Sequence, residues 1–265
     1  MIYYPLTTLM LAGIRDFIIV SDPHHLPLFQ DLLGDGTQWG ISISYEKQER
    51  PAGIVDGFRA AEDHLRGFHV ALMLGDNILY GSGLPRMLSH AVKENSGATV
   101  FSVEVAHPTA FGIVELGSDG RPVSLIEKPA QPASRLAVIG LYLYSPDVLA
   151  IAAKITPSSR GELEITDVNR AYLDGGRLTV RSLGRGIAWL DGGTSQNLFE
   201  ASLFVQVIEQ RTGLKIACPE EIAWRYGIID RQRFRQLAEA TPESDYRNYL
   251  LRILETSPFH GDHDA

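Results

Sequence analysis

The sequence is poor in cysteine, because Cys218 is the only one among 265 residues. A single thiol cannot form a disulfide within the chain, whereas proteins of oxidising compartments usually carry several paired cysteines. The sequence therefore predicts a reducing, cytoplasmic setting. It also predicts that Cys218 is a buried structural thiol rather than a nucleophile.

Long apolar runs and an excess of basic residues are also lacking. No stretch reaches the roughly 18 consecutive apolar residues of a membrane-spanning helix, so no membrane partner is expected. The 24 Lys and Arg against 32 Asp and Glu give a formal net charge of −8, which disfavours binding along a nucleic-acid backbone. A small anionic substrate would need basic side chains at its own binding site.

Helical and strand patterns alternate along residues 1–105, which predicts an α/β fold with a mostly parallel sheet covered on both faces. A β-hairpin, further strands and further helices follow. We predict one domain over residues 1–254, whose C-terminal part is helical from about residue 215, and a polar tail at 255–265. The first helix leads directly into a buried strand. Such a helix normally crosses over from a preceding strand, so here it either caps the sheet or lacks that strand.

Two acidic residues follow predicted strands. Asp76 comes after an apolar run at 72–74, and Asp191 ends a run at 187–190 just before a helix. Open α/β sheets bind ligands at the carboxyl ends of strands, where carboxylates suit Mg²⁺ bound beside phosphate oxygens. The competing explanations are a simple turn at 75–77 and a helix-capping role for Asp191.

Cations and amides for an anionic ligand are also present. Glu127 and Lys128 end a predicted strand, where the acid could accept hydroxyl groups and the lysine could reach a phosphate. Arg160 precedes a helix, which suits forked contact with phosphate. Gln48 and Gly53 flank a loop in which an amide could bind a base edge and a glycine could let the backbone approach it. A charged hairpin end and an exposed loop arginine are the simpler explanations for the charged residues.

Seven segments, taken in order, resemble the glucose-1-phosphate thymidylyltransferases, a family of sugar nucleotidyltransferases. The likeness extends over roughly residues 1–254. The segments are Met-Ile-Tyr-Tyr-Pro-Leu (1–6), Leu-Ala-Gly-Ile-Arg-Asp (11–16), Leu-Gly-Asp-Asn (74–77), Glu-Lys-Pro (127–129), Arg-Gly-Glu-Leu-Glu-Ile-Thr (160–166), Ala-Trp-Leu-Asp (188–191) and Glu-Glu-Ile-Ala-Trp-Arg (220–225).

The resemblance implies a Rossmann-like three-layer sandwich with a mixed, mostly parallel sheet, a homotetramer, and Mg²⁺-dependent joining of dTTP and glucose 1-phosphate for deoxysugar synthesis, for example of rhamnose. It assigns roles to single residues. It assigns Mg²⁺ binding to Asp76 and Asp191, and sugar binding to Asn77, Gly112, Glu127 and Val138. It assigns binding and catalytic positioning of the sugar phosphate to Lys128 and Arg160, and thymine binding to Gln48 and Gly53. A secondary nucleotide site is implied at Arg185, Glu221 and Ile222.

The chain departs from the family pattern before its first helix. The family has a strand, a G-G-x-G-T-R loop and a K-Q-x-L-P segment that do not occur here, and Asp56 stands where the family more usually has glutamine. We therefore expect that Met1 is an internal methionine of a longer enzyme and that the 265-residue form folds poorly. The alternatives are a binding paralogue without turnover and a relative that uses UTP or CTP. A metal-dependent glycosyltransferase is disfavoured by the absence of a D-x-D motif.

Overall fold

The computed structural model describes residues 1–50, 52–158 and 161–255. Its α-helices are α1 (Tyr3–Leu11), α2 (Leu26–Leu33), α3 (Asp56–Ala60), α4 (Glu62–Leu65), α5 (Leu84–Glu94), α6 (Val148–Ala152), α7 (Ile165–Asp174), α8 (Ser195–Thr212), α9 (Pro219–Arg225), α10 (Arg231–Ala240) and α11 (Asp245–Glu255). Its strands are β1 (Asp16–Ser21), β2 (Ser42–Lys47), β3 (Val70–Met73), β4 (Asn77–Gly81), β5 (Ala98–Glu104), β6 (Gly112–Leu116), β7 (Pro122–Glu127), β8 (Leu136–Tyr144), β9 (Leu178–Ser182) and β10 (Ile187–Asp191).

The main sheet is built around β8, a long apolar strand. One edge of β8 pairs with β5, and the other edge pairs with β3 and β6, all in antiparallel orientation. The hairpin partner β7 lies outside β6, and β9 runs parallel to β5. An α/β fold with a mixed sheet is thus confirmed.

The prediction that most strands pair in parallel is wrong. Within the described residues, two strand pairings are parallel, β1 with β2 and β5 with β9, whereas the others are antiparallel. The reason is that β8 runs between β3 and β5. Those two strands keep a common direction but do not pair with each other.

Two strand pairs stand apart from the main sheet. The first is β1 with β2, and β1 forms no second pairing among the described strands. The second is β4 with β10, whose antiparallel register pairs Asp191 with Asn77 and Ile187 with Gly81. The sequence patterns did not indicate β4, because Gly75-Asp76-Asn77 favours a turn. A turn does form there, since the Asn77 N–H donates to the Leu74 carbonyl at 3.2 Å, and β4 begins directly afterwards.

The apolar core has three parts. Leu6 and Met10 of α1 pack with β1, β2 and the helices α9 to α11. Side chains of β5 and β8 pack with α3, α6 and α7, and a third cluster joins β4 and β5 to α5. Helix α1 therefore contacts the C-terminal helices, so the helical part from residue 215 onward packs into the rest of the chain. Of the tail predicted at 255–265, Glu255 is the last residue of α11, and residues 256–265 lie outside the described residues.

Cys218 belongs to the first of these clusters and is 1% exposed. Burial, with the nearby Glu220 carboxylate adding to it, raises the pKa of this thiol well above its usual value. The expectation of a buried structural thiol is confirmed. No helix of the described residues has both the length and the apolar character needed to cross a membrane.

The β4–β10 pair supports a direct test of packing. A Cβ added to Gly81 would lie 2.2 Å from the Gly186 carbonyl oxygen, a clash that only separation of the two strands can relieve. We expect Gly81→Ala to lower the free energy of unfolding by about 1–3 kcal/mol and the melting temperature by on the order of 5 °C, measured by circular dichroism.

Gly184→Ala is the matched control, because a Cβ there would meet nothing within 4 Å. It should change the melting temperature little. Equal stability of the two variants would contradict the close approach of β4 and β10.

Candidate active site

One cavity of about 270 Å³ collects most of the residues that the sequence singled out. It lies between the β4–β10 pair, the β6–β7 hairpin, β8 and the start of α7. Its volume is near the lower end of the range for small-ligand sites. The predicted residues in its lining are Asp76, Asn77, Gly112, Glu127, Lys128, Val138 and Asp191.

Asp76 and Asp191 converge at one end of this cavity. Antiparallel pairing sets Asp191 opposite Asn77, the neighbour of Asp76, and the Gly192 N–H donates to the Asp76 carbonyl at 2.8 Å. A Cβ added to Gly193 would lie 3.0 Å from Asp191 Oδ1 and 3.6 Å from Asp76 Oδ2. The two carboxylates, 115 positions apart in sequence, therefore flank the same point.

Each of these carboxylates has one oxygen held by a neutral amide. The Asn77 Nδ2 donates to Asp76 Oδ1 at 2.7 Å, and the Asn197 Nδ2 donates to Asp191 Oδ1 at 3.1 Å. The Gly193 N–H also donates to Asp191 Oδ1, at 2.8 Å. Asp191 thus holds the Asn197 side chain in the first turn of α8, but it does not cap this helix. The N-cap is Thr194, whose hydroxyl accepts from the Asn197 N–H at 3.1 Å.

This donor set fits a divalent metal that shares its ligands with a substrate. Two carboxylates supply hard oxygen atoms, and Mg²⁺ in phosphate sites usually binds one or two carboxylates and fills its remaining positions with water and phosphate. In the part of the chain that the structure describes, no group of three or more His, Cys, Asp or Glu side chains could hold a metal. The arrangement therefore suits a shared site rather than a closed structural one.

The opposite wall is the end of the hairpin. The Thr166 hydroxyl of α7 donates to Glu127 Oε2 at 2.6 Å, and a Cβ on Gly112 would lie 3.0 Å from the same oxygen. Glycine at 112 therefore keeps the space beside Glu127 open. The Glu127 carboxylate is fixed by α7 at the cavity wall, where it can accept hydrogen bonds from a ligand.

Lys128 has a strained backbone at this wall. Its φ is 42°, the single positive value of a non-glycine residue in the described chain, and such a conformation costs on the order of 1–3 kcal/mol. Its N–H donates to the Phe111 carbonyl at 3.0 Å, and the buried Pro129 follows. These neighbours stop β7 and leave the lysine side chain exposed at the cavity.

Gln48 and Gly53 lie outside the lining, although the next residue, Ile54, contributes to it. The Gln48 Nε2 donates to the Gly53 carbonyl at 3.0 Å and is 3.4 Å from Asp56 Oδ2. Gly53 has a φ of +101°, and a Cβ on it would lie 2.5 Å from the Leu163 carbonyl oxygen. Close packing against Leu163 explains this glycine without a ligand. Arg160 lies outside the described residues.

The implied secondary site is not assembled as one cavity. Arg185 lines a separate cavity of about 490 Å³ formed at the ends of β5, β8 and β9, which contains neither Glu221 nor Ile222. Glu221 is 9% exposed, and its carboxylate accepts from Arg225 Nε at 2.6 Å and from the Tyr249 hydroxyl. Glu221 thus ties α9 to α11, and Ile222 is part of the core.

Sequence reasoning missed several lining residues. Glu162, Glu164, Thr166 and Trp189 lie in the segments 160–166 and 188–191 that carry the family resemblance, but no role was predicted for them, and only the fold shows that they reach the cavity. Trp189 is one of them: the centroids of its ring and the Phe111 ring are 5.3 Å apart, and its Nε1 donates to Asn77 Oδ1 at 2.7 Å. Other lining residues without a predicted role include Gly140, Tyr142, Glu162, Glu164, Thr166 and Asn169.

Comparison with known proteins identifies the family. Residues 1–207 match the nucleotidyl transferase family. The chain is 50% identical over 255 residues to glucose-1-phosphate thymidylyltransferase of Mycobacterium tuberculosis, covering 96% of this chain and 88% of the relative. The protein of the same name from Xanthomonas campestris is 46% identical over 260 residues, with 98% and 88% covered.

Solved structures share the architecture. A Bacillus anthracis structure assigned to the same enzyme, in complex with sucrose, has a TM-score of 0.69 at 32% identity and covers 77% of this chain and 81% of its own. A UDP-glucose pyrophosphorylase in complex with UDP-glucose has a TM-score of 0.68 at 23% identity, with 78% and 86% covered, which shows the same fold. The chain therefore belongs to the nucleotidyl transferase family and, within it, to the glucose-1-phosphate thymidylyltransferases.

Proposed function

We propose that this chain joins dTTP and glucose 1-phosphate to give dTDP-glucose and pyrophosphate, at the cavity between the β4–β10 pair and the β6–β7 hairpin. The observation that carries the proposal is the pairing of two converging carboxylates with a wall of hydroxyl-accepting and cationic groups in one small cavity. The names of the two curated relatives support the same reaction.

The chemistry requires alignment more than proton transfer. A phosphate oxygen of glucose 1-phosphate attacks the α-phosphorus of dTTP, a new P–O bond forms, and the bond to the β-phosphate oxygen breaks to release pyrophosphate. The attacking oxygen is already anionic, so no general base is needed. Positioning and neutralisation of the crowded phosphates provide the catalysis.

The hairpin wall would bind the sugar phosphate. Glu127, oriented by Thr166, accepts sugar hydroxyls, while Gly112 and Val138 leave room for the ring. Lys128 extends from a fixed backbone to the phosphate as a point charge. Arg160 would add a forked contact, as the resemblance implies, and Asn77 would contact the sugar from the other side.

Asp76 and Asp191 would hold the metal, which the family indicates to be divalent and which we propose to be Mg²⁺. When bound, Mg²⁺ supplies positive charge to the phosphate oxygens. The protein fixes the two carboxylates in advance, since each has one oxygen restrained by an amide. The other oxygen of each carboxylate has no hydrogen-bond partner among the described residues.

We further propose that the chain assembles as a homo-oligomer, a tetramer by the family resemblance, through α8. Ala201 is the one fully buried residue of this 18-residue helix, and Phe204 packs on Tyr80 with ring centroids 6.0 Å apart. Phe199, Leu203 and Val207 are spaced by four residues along the opposite face and are 57%, 43% and 54% exposed. Such an apolar stripe on a helix indicates an interface with another copy.

The reaction is tested by pyrophosphate release from glucose 1-phosphate and Mg²⁺ with dTTP, UTP or CTP in turn. We expect turnover with the highest kcat/KM for dTTP. Faster turnover with UTP or CTP would favour a relative of different base preference. No pyrophosphate release with any of the three nucleotides, together with calorimetric binding of glucose 1-phosphate, would instead support a binding paralogue without turnover.

The metal assignment is tested by Asp76→Asn. This change removes a metal-binding charge but keeps the shape of the side chain, so we expect Mg²⁺-dependent turnover to fall by at least about 100-fold. Asp63→Asn is the control, because the Asp63 side chain is 99% exposed on α4. Retained turnover in Asp76→Asn would remove Asp76 from the metal site.

The interface is tested by Leu203→Asp, which places a charge in the exposed stripe of α8. We expect light scattering after size-exclusion chromatography to show a smaller assembly than for the unaltered chain. Leu32→Asp makes the same change at another exposed leucine, on α2, and should leave the mass unchanged. An unaltered mass for Leu203→Asp would place the interface elsewhere.

A further inference from the structure

We propose that Trp189 is a positioning residue for the divalent-metal site, because its indole N–H fixes the amide of Asn77, and this amide fixes the carboxylate of Asp76. The inference rests on the proposed function, since it takes Asp76 and Asp191 as the metal-binding pair. Trp189 would contact no metal itself. It would act through two hydrogen bonds in series.

The β4–β10 pair brings these groups to one face. Residues two apart on a strand point to the same side, so Trp189 and Asp191 share a face of β10. Asp191 lies opposite Asn77, and Trp189 lies opposite Leu79. Trp189 is thus the diagonal neighbour of Asn77, a distance that a large side chain spans easily.

The contacts define the orientation of the Asn77 amide. Asn77 is 3% exposed, and its Oδ1 accepts from the Gly140 N–H at 3.1 Å and from Trp189 Nε1 at 2.7 Å. Both partners are donors only, so the amide oxygen must face them. A reversed amide would place its NH₂ group against two N–H groups. The Asn77 Nδ2 is therefore directed at Asp76 Oδ1, 2.7 Å away.

This orientation determines which oxygen of Asp76 is available. Oδ1 is occupied by the amide, and Oδ2 is on the side of Gly193 and Asp191. The carboxylate is thereby arranged for the metal before the metal arrives. Without the indole N–H, Asn77 Oδ1 would keep one donor, so the amide and then the Asp76 carboxylate would sample other orientations. Loss of such an outer partner typically weakens metal binding by about 10–100-fold.

The test is Trp189→Phe, which removes the N–H but keeps an aromatic ring. The dissociation constant for Mn²⁺ is measured with the substrate-free chain by electron paramagnetic resonance of free Mn²⁺. We expect it to rise about tenfold, and the metal concentration for half-maximal turnover to rise by a similar factor. At saturating metal, kcat should recover to within about threefold, because the carboxylates themselves are intact.

Trp39→Phe is the matched control. Trp39 is buried, and its Nε1 has no hydrogen-bond partner in the described part of the chain. The same substitution there should leave Mn²⁺ affinity unchanged. A loss of affinity equal to that of Trp189→Phe would overturn the proposal, because general loosening of the fold would then explain both.

A double-mutant cycle tests the relay itself. Asn77→Ser removes both hydrogen bonds and should weaken Mn²⁺ binding at least as much as Trp189→Phe. In the Asn77→Ser background, Trp189→Phe should then have no further effect. Independent effects that multiply, or unchanged Mn²⁺ binding in either folded single variant, would overturn the relay. Mn²⁺ binding that survives in Asp76→Asn would instead refute the metal site of the proposed function.

Discussion

The antiparallel pairing of β4 with β10 is the constraint on which the site depends. It joins segments whose side-chain contact spans 112 positions, and its register decides that Asp191 meets Asn77. Two carboxylates brought this close repel each other, so the backbone ladder and the amides of Asn77 and Asn197 must hold them. A shift of one residue in the register would turn Asp191 and Trp189 to the other face.

Strand pairing and a hydrogen bond from a neutral group also orient the acid on the other wall of the cavity. Glu127 ends β7, where the hairpin brings it opposite Gly112, and Thr166 of α7 donates to it. Burial, to which the Glu127 charge adds, raises the pKa of the Tyr142 hydroxyl well above its usual value, so this group stays protonated. The cavity thus combines acids held by neutral donors with one lysine whose backbone is fixed by its neighbours.

Local sequence patterns predicted part of the fold and part of the candidate site. An apolar run followed by an aspartate indicated both strand-end acids, and the hairpin predicted after residue 105 corresponds to β6 and β7. The strand β4 was missed because its five residues, which begin with the Asn77 of a turn-forming Gly-Asp-Asn, give little periodic signal. The role of Trp189 was missed for a different reason, since nothing near residue 189 shows that its N–H meets an amide from another part of the chain. The ligand role of Gly53 stays a prediction, and its packing against Leu163 by itself requires a glycine.

The choice of neutral amides to hold the acids has a chemical consequence. An arginine or lysine in the place of Asn77 would orient Asp76 equally well, but its charge would oppose an incoming cation and lower the affinity for it. An amide donates one hydrogen bond and adds no net charge, so the negative charge of Asp76 and Asp191 stays available. The amide has a weakness, because its two ends are nearly the same size and it can reverse. Within the described chain, the Gly140 N–H and the Trp189 indole N–H are the donors that prevent this reversal. A half-buried tryptophan two residues from Asp191 is thus a reasonable place to look for control of a metal site.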